Sequence, residues 1–267
     1  MKEPFTFGVP LIPRVVSADW SLVEHLLGLT LRSVLAQADQ DFRFVLATHD
    51  VPSSWRIVAG DIRFELAMAD WSPEPPTIAN DDGGRKKWLI KQRVLAAGGG
   101  LLMFLDADDW VARDFIETAR IGTPSDAIGA IIRQGYALDY SSLRVASFPM
   151  ARVFEGPISA LCGSTTIGRV VPGSTEAHRV DPHLVLGSHH EWEDHAALAG
   201  LRISRLDTKV VYVIGTGTNH SEAQGPFAIW RSQLTRMVRL AGEPIGSELA
   251  SNFGQSQREI WLRGSNE

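Results

Sequence analysis

The sequence predicts an α/β fold whose sheet presents a ligand site at the carboxyl ends of its strands, and three observations carry that prediction. The chain opens as strand then helix: Phe5 to Leu11 is an apolar stretch closed by Pro10 and Pro13, and from Asp19 onward Leu22, Leu26, Leu29 and Val34 recur at helical spacing. Leu101-Leu102-Met103-Phe104-Leu105 is a continuous apolar run, the pattern of a strand covered on both faces. That run delivers Asp106-Ala107-Asp108-Asp109 at its end, the position where open α/β sheets bind ligands.

The remaining elements follow in order. Phe42 to Ala47 reads as a second strand and Ile62 to Met68 as a third, followed by a proline-rich loop from Trp71 to Pro76. Arg85 to Ala97 reads as a helix through Ile90, Val94 and Ala97, stopped by Gly98-Gly99-Gly100. Beyond it the chain changes character, with β-like pieces at Gly129 to Tyr136 and Arg144 to Met150, a Gly/Ser/Thr segment at Gly163 to Thr166, and few clear helices before Trp192. Phe227 to Leu240 reads as an amphipathic helix through Ile229, Trp230, Leu234, Met237 and Val238, and the polar tail after Gly242 is expected to be only partly ordered. The expected organisation is one continuous domain of two halves, 1–125, which ends after the acidic cluster, and 126–267, which covers the sheet.

Hydrophobic residues make up 44% of the 267, enough to bury a sizeable core. A formal net charge of -5 gives no electrostatic ground for binding nucleic acid or an anionic membrane. The single cysteine, Cys162, forms neither an intramolecular disulfide nor a cysteine-based zinc site, as suits a reducing compartment. The N-terminus shows no signal-peptide apolar region and no later run reaches membrane-spanning length, so a cytoplasmic protein with at most peripheral membrane contact is expected.

Three carboxylates within four positions repel one another unless something positive compensates them. Mg²⁺ or Mn²⁺, which prefer hard oxygen ligands and bridge the oxygens of a diphosphate, would do so. The plainer reading is an acidic strand-to-helix junction in which Asp108 or Asp109 caps a short helix. Arg85, Lys86 and Lys87 would fall in the first turn of their helix, where positive charge opposes the macrodipole, with Lys91 one turn after Lys87. An anionic nucleotide diphosphate near Lys87 and Lys91 would offset that cost, as would Asp81 and Asp82 on a merely solvated face.

"LLMFLDADDWVARDF", preceded by "KKWLIKQRVLAAGGG", resembles the D-x-D region of GT-A glycosyltransferases, in particular the inverting family-2 type and the rhamnosyltransferase-like proteins. The resemblance implies a Rossmann-like mixed sheet flanked by helices, with a nucleotide-diphosphate sugar as donor and a glycan or other hydroxyl as acceptor. It would place Asp106 near the nucleotide ribose or the metal, and Asp108 or Asp109 on the metal and diphosphate. "HHEWEDHAAL" is similar to the family's E-D motif, which makes Asp194, beside Glu193, the implied general base. Two acidic residues opening a helix are also simply favourable to its dipole. His220, in "GTGTNHSEAQ", would complete the metal shell by the same resemblance, or be a surface-loop histidine. His183, His189, His190 and His195 are expected on the surface or the acceptor side rather than as ligands.

At the second strand the sequence departs from the family: Thr48-His49-Asp50-Val51-Pro52 stands where an aspartate turn usually contacts the base, and Asp50 is the substitute. Competing readings are a nucleotidyltransferase, disfavoured by the glycine-poor "GVPLIPR" loop, and a binding protein of the same fold without turnover. A dehalogenase-type phosphatase is disfavoured because its D-x-D lies near the N-terminus.

Overall fold

The computed structural model describes residues 2–74, 80–151, 153–218 and 228–261. The first half runs β1 (Phe5–Pro10), α1 (Trp20–Leu35), β2 (Arg43–Thr48), β3 (Phe64–Met68), α2 (Asp81–Ala96), β4 (Gly100–Phe104), β5 (Trp110–Val111) and α3 (Phe115–Gly122). The second half runs β6 (Gly129–Asp139), β7 (Arg144–Phe148), β8 (Thr166–Val170), α4 (Ala177–Val180), α5 (Pro182–Leu186), α6 (Trp192–Leu198) and β9 (Ile203–Ile214). It closes with α7 (Ala228–Ala241), β10 (Glu243–Pro244), α8 (Ser247–Asn252) and α9 (Gln257–Trp261).

All the larger strands join one mixed sheet ordered β10-β7-β6-β8-β4-β1-β2-β3, with β9 on the other edge of β6. Strands β3, β2, β1 and β4 are parallel, as Rossmann-like β-α units dictate, and β8 lies antiparallel to β4. This is the mixed α/β sheet with flanking helices that the GT-A resemblance implies. Strands β1, β2 and β4 are buried along nearly their whole length, β3 only at Phe64 and Ala67, and the apolar run at 101–105 is wholly buried. The largest buried cluster takes Phe7, Phe44 and Met103 from the first half and Ile132, Ile167 and Val210 from the second.

Several expectations change. Strand β3 begins at Phe64, because Arg63 and Asp61 form a tight turn and Ile62 is fully exposed. Helix α2 begins four residues earlier than expected, capped by Asn80, whose side chain accepts from Gly83 N. Its first turn therefore holds Asp81 and Asp82, so the charge there suits the dipole and Lys86 and Lys87 fall outside it. The helix ends where expected. Gly99 and Gly100 adopt φ of +79° and +115°, and a Cβ at Gly100 would stand 2.4 Å from the Pro4 carbonyl oxygen.

Strand β9 was not expected. Its exposed Arg205, Asp207 and Lys209 alternate with inward Leu206, Thr208 and Val210, a half-buried strand whose charged face hides the pattern. The tail after Gly242 is ordered at least to 261: Ile245, Ala250, Phe253 and Ile260 are buried with Trp110, Leu22 and Val213. In α7, Leu234 and Val238 are buried, whereas Ile229 is 78% exposed. No helix among the described residues is long and apolar enough to cross a membrane.

Candidate functional site

The carboxyl ends of β1 and β4 open into a cleft of about 300 Å³. Its floor is apolar, made by Leu11, Ile12 and Val16 after β1, Val23 and Leu26 of α1, and Leu161. One wall is the start of α2, with Asn80, Asp82, Gly83, Lys86 and Lys87. The second half supplies the rest of the lining named here: Gly163, His189, Tyr212 of β9, Thr218 and Arg231 of α7.

Asp106 and Asp108 line this cleft together. The turn that presents them is pinned from three sides. Asp106 N donates to Ser164 Oγ at 2.8 Å, the Thr30 hydroxyl donates to the Ala107 carbonyl at 2.9 Å, and Asp109 N donates to the Asp106 carbonyl. Gly163 leaves room for the first carboxylate, since a Cβ there would stand 3.4 Å from Asp106 Oδ2.

Asp109 does not face the cleft. It is fully buried, its carboxylate accepts from Val213 N at 2.9 Å and from the Cys162 thiol at 3.2 Å, and burial, with the Asp106 charge beside it, pushes its pKa up to about 7. It ties the acidic turn to β9 and is removed from the expected metal ligands. Burial and the neighbouring carboxylates also push the Cys162 thiol well up, so it stays protonated as donor.

The donor set left to a divalent cation is Asp106 and Asp108, and among the described residues no group of three His, Cys, Asp or Glu side chains converges as a cage. Two carboxylates in an open cleft fit an ion that takes its other ligands from water and a phosphorylated substrate, the habit of Mg²⁺, rather than a closed structural site. His220 lies outside the described residues.

Other expected residues divide. Lys87 lines the cleft, exposed, with its ammonium 5.4 Å from the centre of the Phe104 ring. Lys91 is spent on an ion pair with Asp181, the cap of α5, and does not line the cleft. Asp50 is likewise engaged, accepting from Arg14 N at 2.9 Å, and so braces the loop after β1 rather than lining the cleft. Glu193 pairs with Arg205 at 2.7 Å and Arg133 at 3.5 Å. Asp194 is exposed in the first turn of α6 and is not among the cleft residues. That helix docks through Trp192 and Ala196 against Ile128 and Ile131, which leaves its acidic turn away from the cleft.

Four cleft residues have roles that the sequence reading did not give them. Lys86 is buried, its ammonium donating to the Leu11 carbonyl at 2.5 Å and to Asp82 at 2.6 Å, so it locks the loop after β1 onto α2. Burial lowers its pKa, with Asp82 holding it up. His189 was expected on the acceptor side at most; its Nδ1 meets the Ser159 carbonyl, which makes Nδ1 the protonated nitrogen and Nε2 the acceptor. Burial lowers its pKa, opposed by that hydrogen bond, so the ring is neutral at pH 7. Tyr212 and Arg231 carried no signal, lying in an unread strand and on a helix judged by its apolar stripe.

Residues 18–142 match the model of a family described as "Putative rhamnosyl transferase". The match spans α1 through β6 and so contains the α2 wall, Asp106 and Asp108. Among solved structures, a "putative nucleotide-diphospho-sugar transferase" from Desulfovibrio desulfuricans G20 is similar at 12% identity and a TM-score of 0.40, over 89% of this chain and 99% of that one. A 4-diphosphocytidyl-2C-methyl-D-erythritol synthase is similar at 12% identity and a TM-score of 0.35, over 88% and 99%. A nucleoside-diphosphate-sugar pyrophosphorylase from Vibrio cholerae RC9 gives 12% and 0.35 over 79% and 91%. No curated protein matches the chain.

Proposed function

We propose that this chain is a glycosyltransferase that moves a sugar from a nucleoside-diphosphate donor to an acceptor hydroxyl in a single, inverting displacement. The observation that carries the reading is the convergence of Asp106 and Asp108, the start of α2 and an apolar floor in one cleft at the carboxyl ends of β1 and β4. The family matched over 18–142 supports it. In this reading 1–125 provides most of the donor side and 126–267 the acceptor side, and the second half also brings His189, Tyr212 and Arg231 into the cleft.

Asp106 and Asp108 would hold Mn²⁺ or Mg²⁺, which supplies positive charge to the diphosphate when bound. The apolar floor receives the flat faces of base or sugar and excludes water from the reacting centre. The acceptor oxygen forms a bond to the anomeric carbon as the bond from that carbon to the phosphate oxygen breaks, and the electron pair leaves with the diphosphate. The acceptor's proton passes to His189 Nε2, neutral and already oriented through Nδ1. Asp194, exposed on α6, is replaced in this role. The setting we propose is cytoplasmic, without nucleic-acid partners, in keeping with the net charge of -5.

Calorimetry with the common nucleoside diphosphates, with Mn²⁺ and with excess chelator, tests the reading. Binding that requires the cation supports it. Equal affinity under chelation removes the cation from the mechanism, and no binding by any nucleoside diphosphate refutes the function.

A further inference from the structure

Arg231 is the cleft cation that is held in place while most of its donors stay unspent. Lys86 is fully engaged by Asp82 and the Leu11 carbonyl, and Lys87 lies exposed beside Phe104. Arg231 donates through Nη1 to the Tyr212 hydroxyl and stacks its guanidinium 5.5 Å from the centre of the same ring. Tyr212 is itself 5% exposed and fixed in β9, so the contact holds the guanidinium in place. Among the described residues no carboxylate pairs with Arg231, and its Nε is buried without a hydrogen-bond partner. A guanidinium has five donors in a planar fork, so one tyrosine leaves most of them unused in a half-buried position beside the cleft.

We infer that Arg231, positioned by Tyr212, binds the sugar-linked phosphate of the donor diphosphate in the cleft that it lines with the start of α2. This rests on the proposed glycosyl transfer and adds the group that meets the leaving charge. When the bond from the anomeric carbon to oxygen breaks, the electron pair stays on that phosphate, which becomes a terminal group with more negative oxygens than before. A planar fork that offers two parallel N–H donors matches those oxygens better than a point charge does. Asp106 and Asp108 would hold a cation that adds positive charge at the diphosphate, and Arg231 of α7 adds a second source, so neither alone has to carry the charge that develops.

The test is calorimetry in Mn²⁺ on the wild type and on Arg231→Gln, Arg231→Lys and Tyr212→Phe. The ligands are the best-binding nucleoside diphosphate, chosen from the uridine, guanosine, thymidine, adenosine and cytidine series, and its matching nucleoside. Melting temperatures are recorded in parallel. The expected result is a roughly 10- to 100-fold loss of diphosphate affinity in Arg231→Gln, the scale of one or two charged hydrogen bonds. Nucleoside affinity should stay unchanged, Arg231→Lys should recover part of the loss, and Tyr212→Phe should show a smaller one. If the wild type binds a diphosphate and Arg231→Gln binds it equally well, the phosphate role is overturned while the transferase reading stands. Equal losses for nucleoside and diphosphate, or a raised acceptor KM with unchanged diphosphate affinity, overturn it too. A wild type that binds no nucleoside diphosphate overturns both.

Discussion

Replacing Lys86 by methionine should cost this fold several kcal/mol, and the structure says where the cost arises. The ammonium is buried and donates to Asp82 Oδ2 at 2.6 Å and to the Leu11 carbonyl at 2.5 Å. Without it, Asp82, whose side chain is 12% exposed, keeps the Trp71 indole N–H at 3.0 Å but loses its cation, and the carbonyl loses a donor. Breaking one side of a buried pair costs about 3–5 kcal/mol, because an uncompensated charge remains. Asp82→Asn alone should cost a similar amount by stranding the ammonium. The double variant Asp82→Asn/Lys86→Met carries no stranded charge and should lie within about 1–2 kcal/mol of wild type, a coupling of at least ~4 kcal/mol. Urea unfolding of the four proteins with a shared m-value measures it. The pH dependence gives a second reading. Burial lowers the folded pKa of Lys86 below 10.5, so just below 10.5 the unfolded chain holds a proton that the folded chain has released. Wild-type stability therefore gains from this group as pH rises through that window, and Lys86→Met should lose the gain. Because the same bonds hold Leu11 against α2, nucleotide affinity should fall with the single variant and return in part with the double. Additive costs in the cycle, or a single-variant cost under ~1 kcal/mol, would show that the pair does not carry this corner of the cleft.

Other outcomes separate residues that look alike in the sequence. Asp106→Asn and Asp108→Asn should each weaken cation-dependent donor binding, while Asp109→Asn should leave donor affinity near wild type and change the unfolding midpoint; calorimetry and urea unfolding distinguish them. His189→Gln should reduce transfer by about 10²-fold or more, the usual scale for a positioned base. Asp194→Asn should stay within a few-fold of wild type, and the reverse ranking would restore the E-D aspartate as base. The His183 ring packs between Phe104 and Trp192 at 4.5 and 5.1 Å with Nε2 buried and unpartnered, and burial, aided by the Lys87 charge, lowers its pKa to about 3. The unfolded chain takes up that proton near pH 6.5, so stability is lost as pH falls from 6.5 toward 3, by ~5 kcal/mol at most. His183→Met should flatten this acid limb in unfolding midpoints taken across that range, and an unchanged limb would refute the assignment.

The first half of the fold was legible because its signals are local. Strands β1, β2 and β4 are apolar along their length, α1 shows its stripe and its Asp19 cap, and the glycine run marks the end of α2. The one sizeable error there, the start of α2, has a local cause. Gly83 and Gly84 are poor helix formers and carry no apolar spacing, and the helix runs through them from an Asn80 cap at φ of +50°. That four-residue shift turned Lys86 from a cation offered to a ligand into a buried brace.

The second half was legible only in part: β6, β7 and α7 lie where the sequence reading put them, but not the way they build the cleft, and Asp109 shows why. Nothing within Asp106-Ala107-Asp108-Asp109 says which carboxylates face a ligand, because the chain turns there and strand alternation does not apply. The decision is made about a hundred residues away. Strand β5 pairs with β9, Trp110 opposite Val211, which puts Asp109 within reach of Val213 N, a buried donor that needs an acceptor. Strand β9 was itself unread because its outer face is charged, so the partner that claims Asp109 was invisible, and so was Tyr212, one residue before it. The chain continues from this strand to Thr218 and, later, α7 carries Arg231, so the second-half lining of the cleft is assembled by pairing rather than written in any contiguous motif. A motif locates the turn that approaches the ligand; the register of the strand beside it decides which of its acidic side chains arrive.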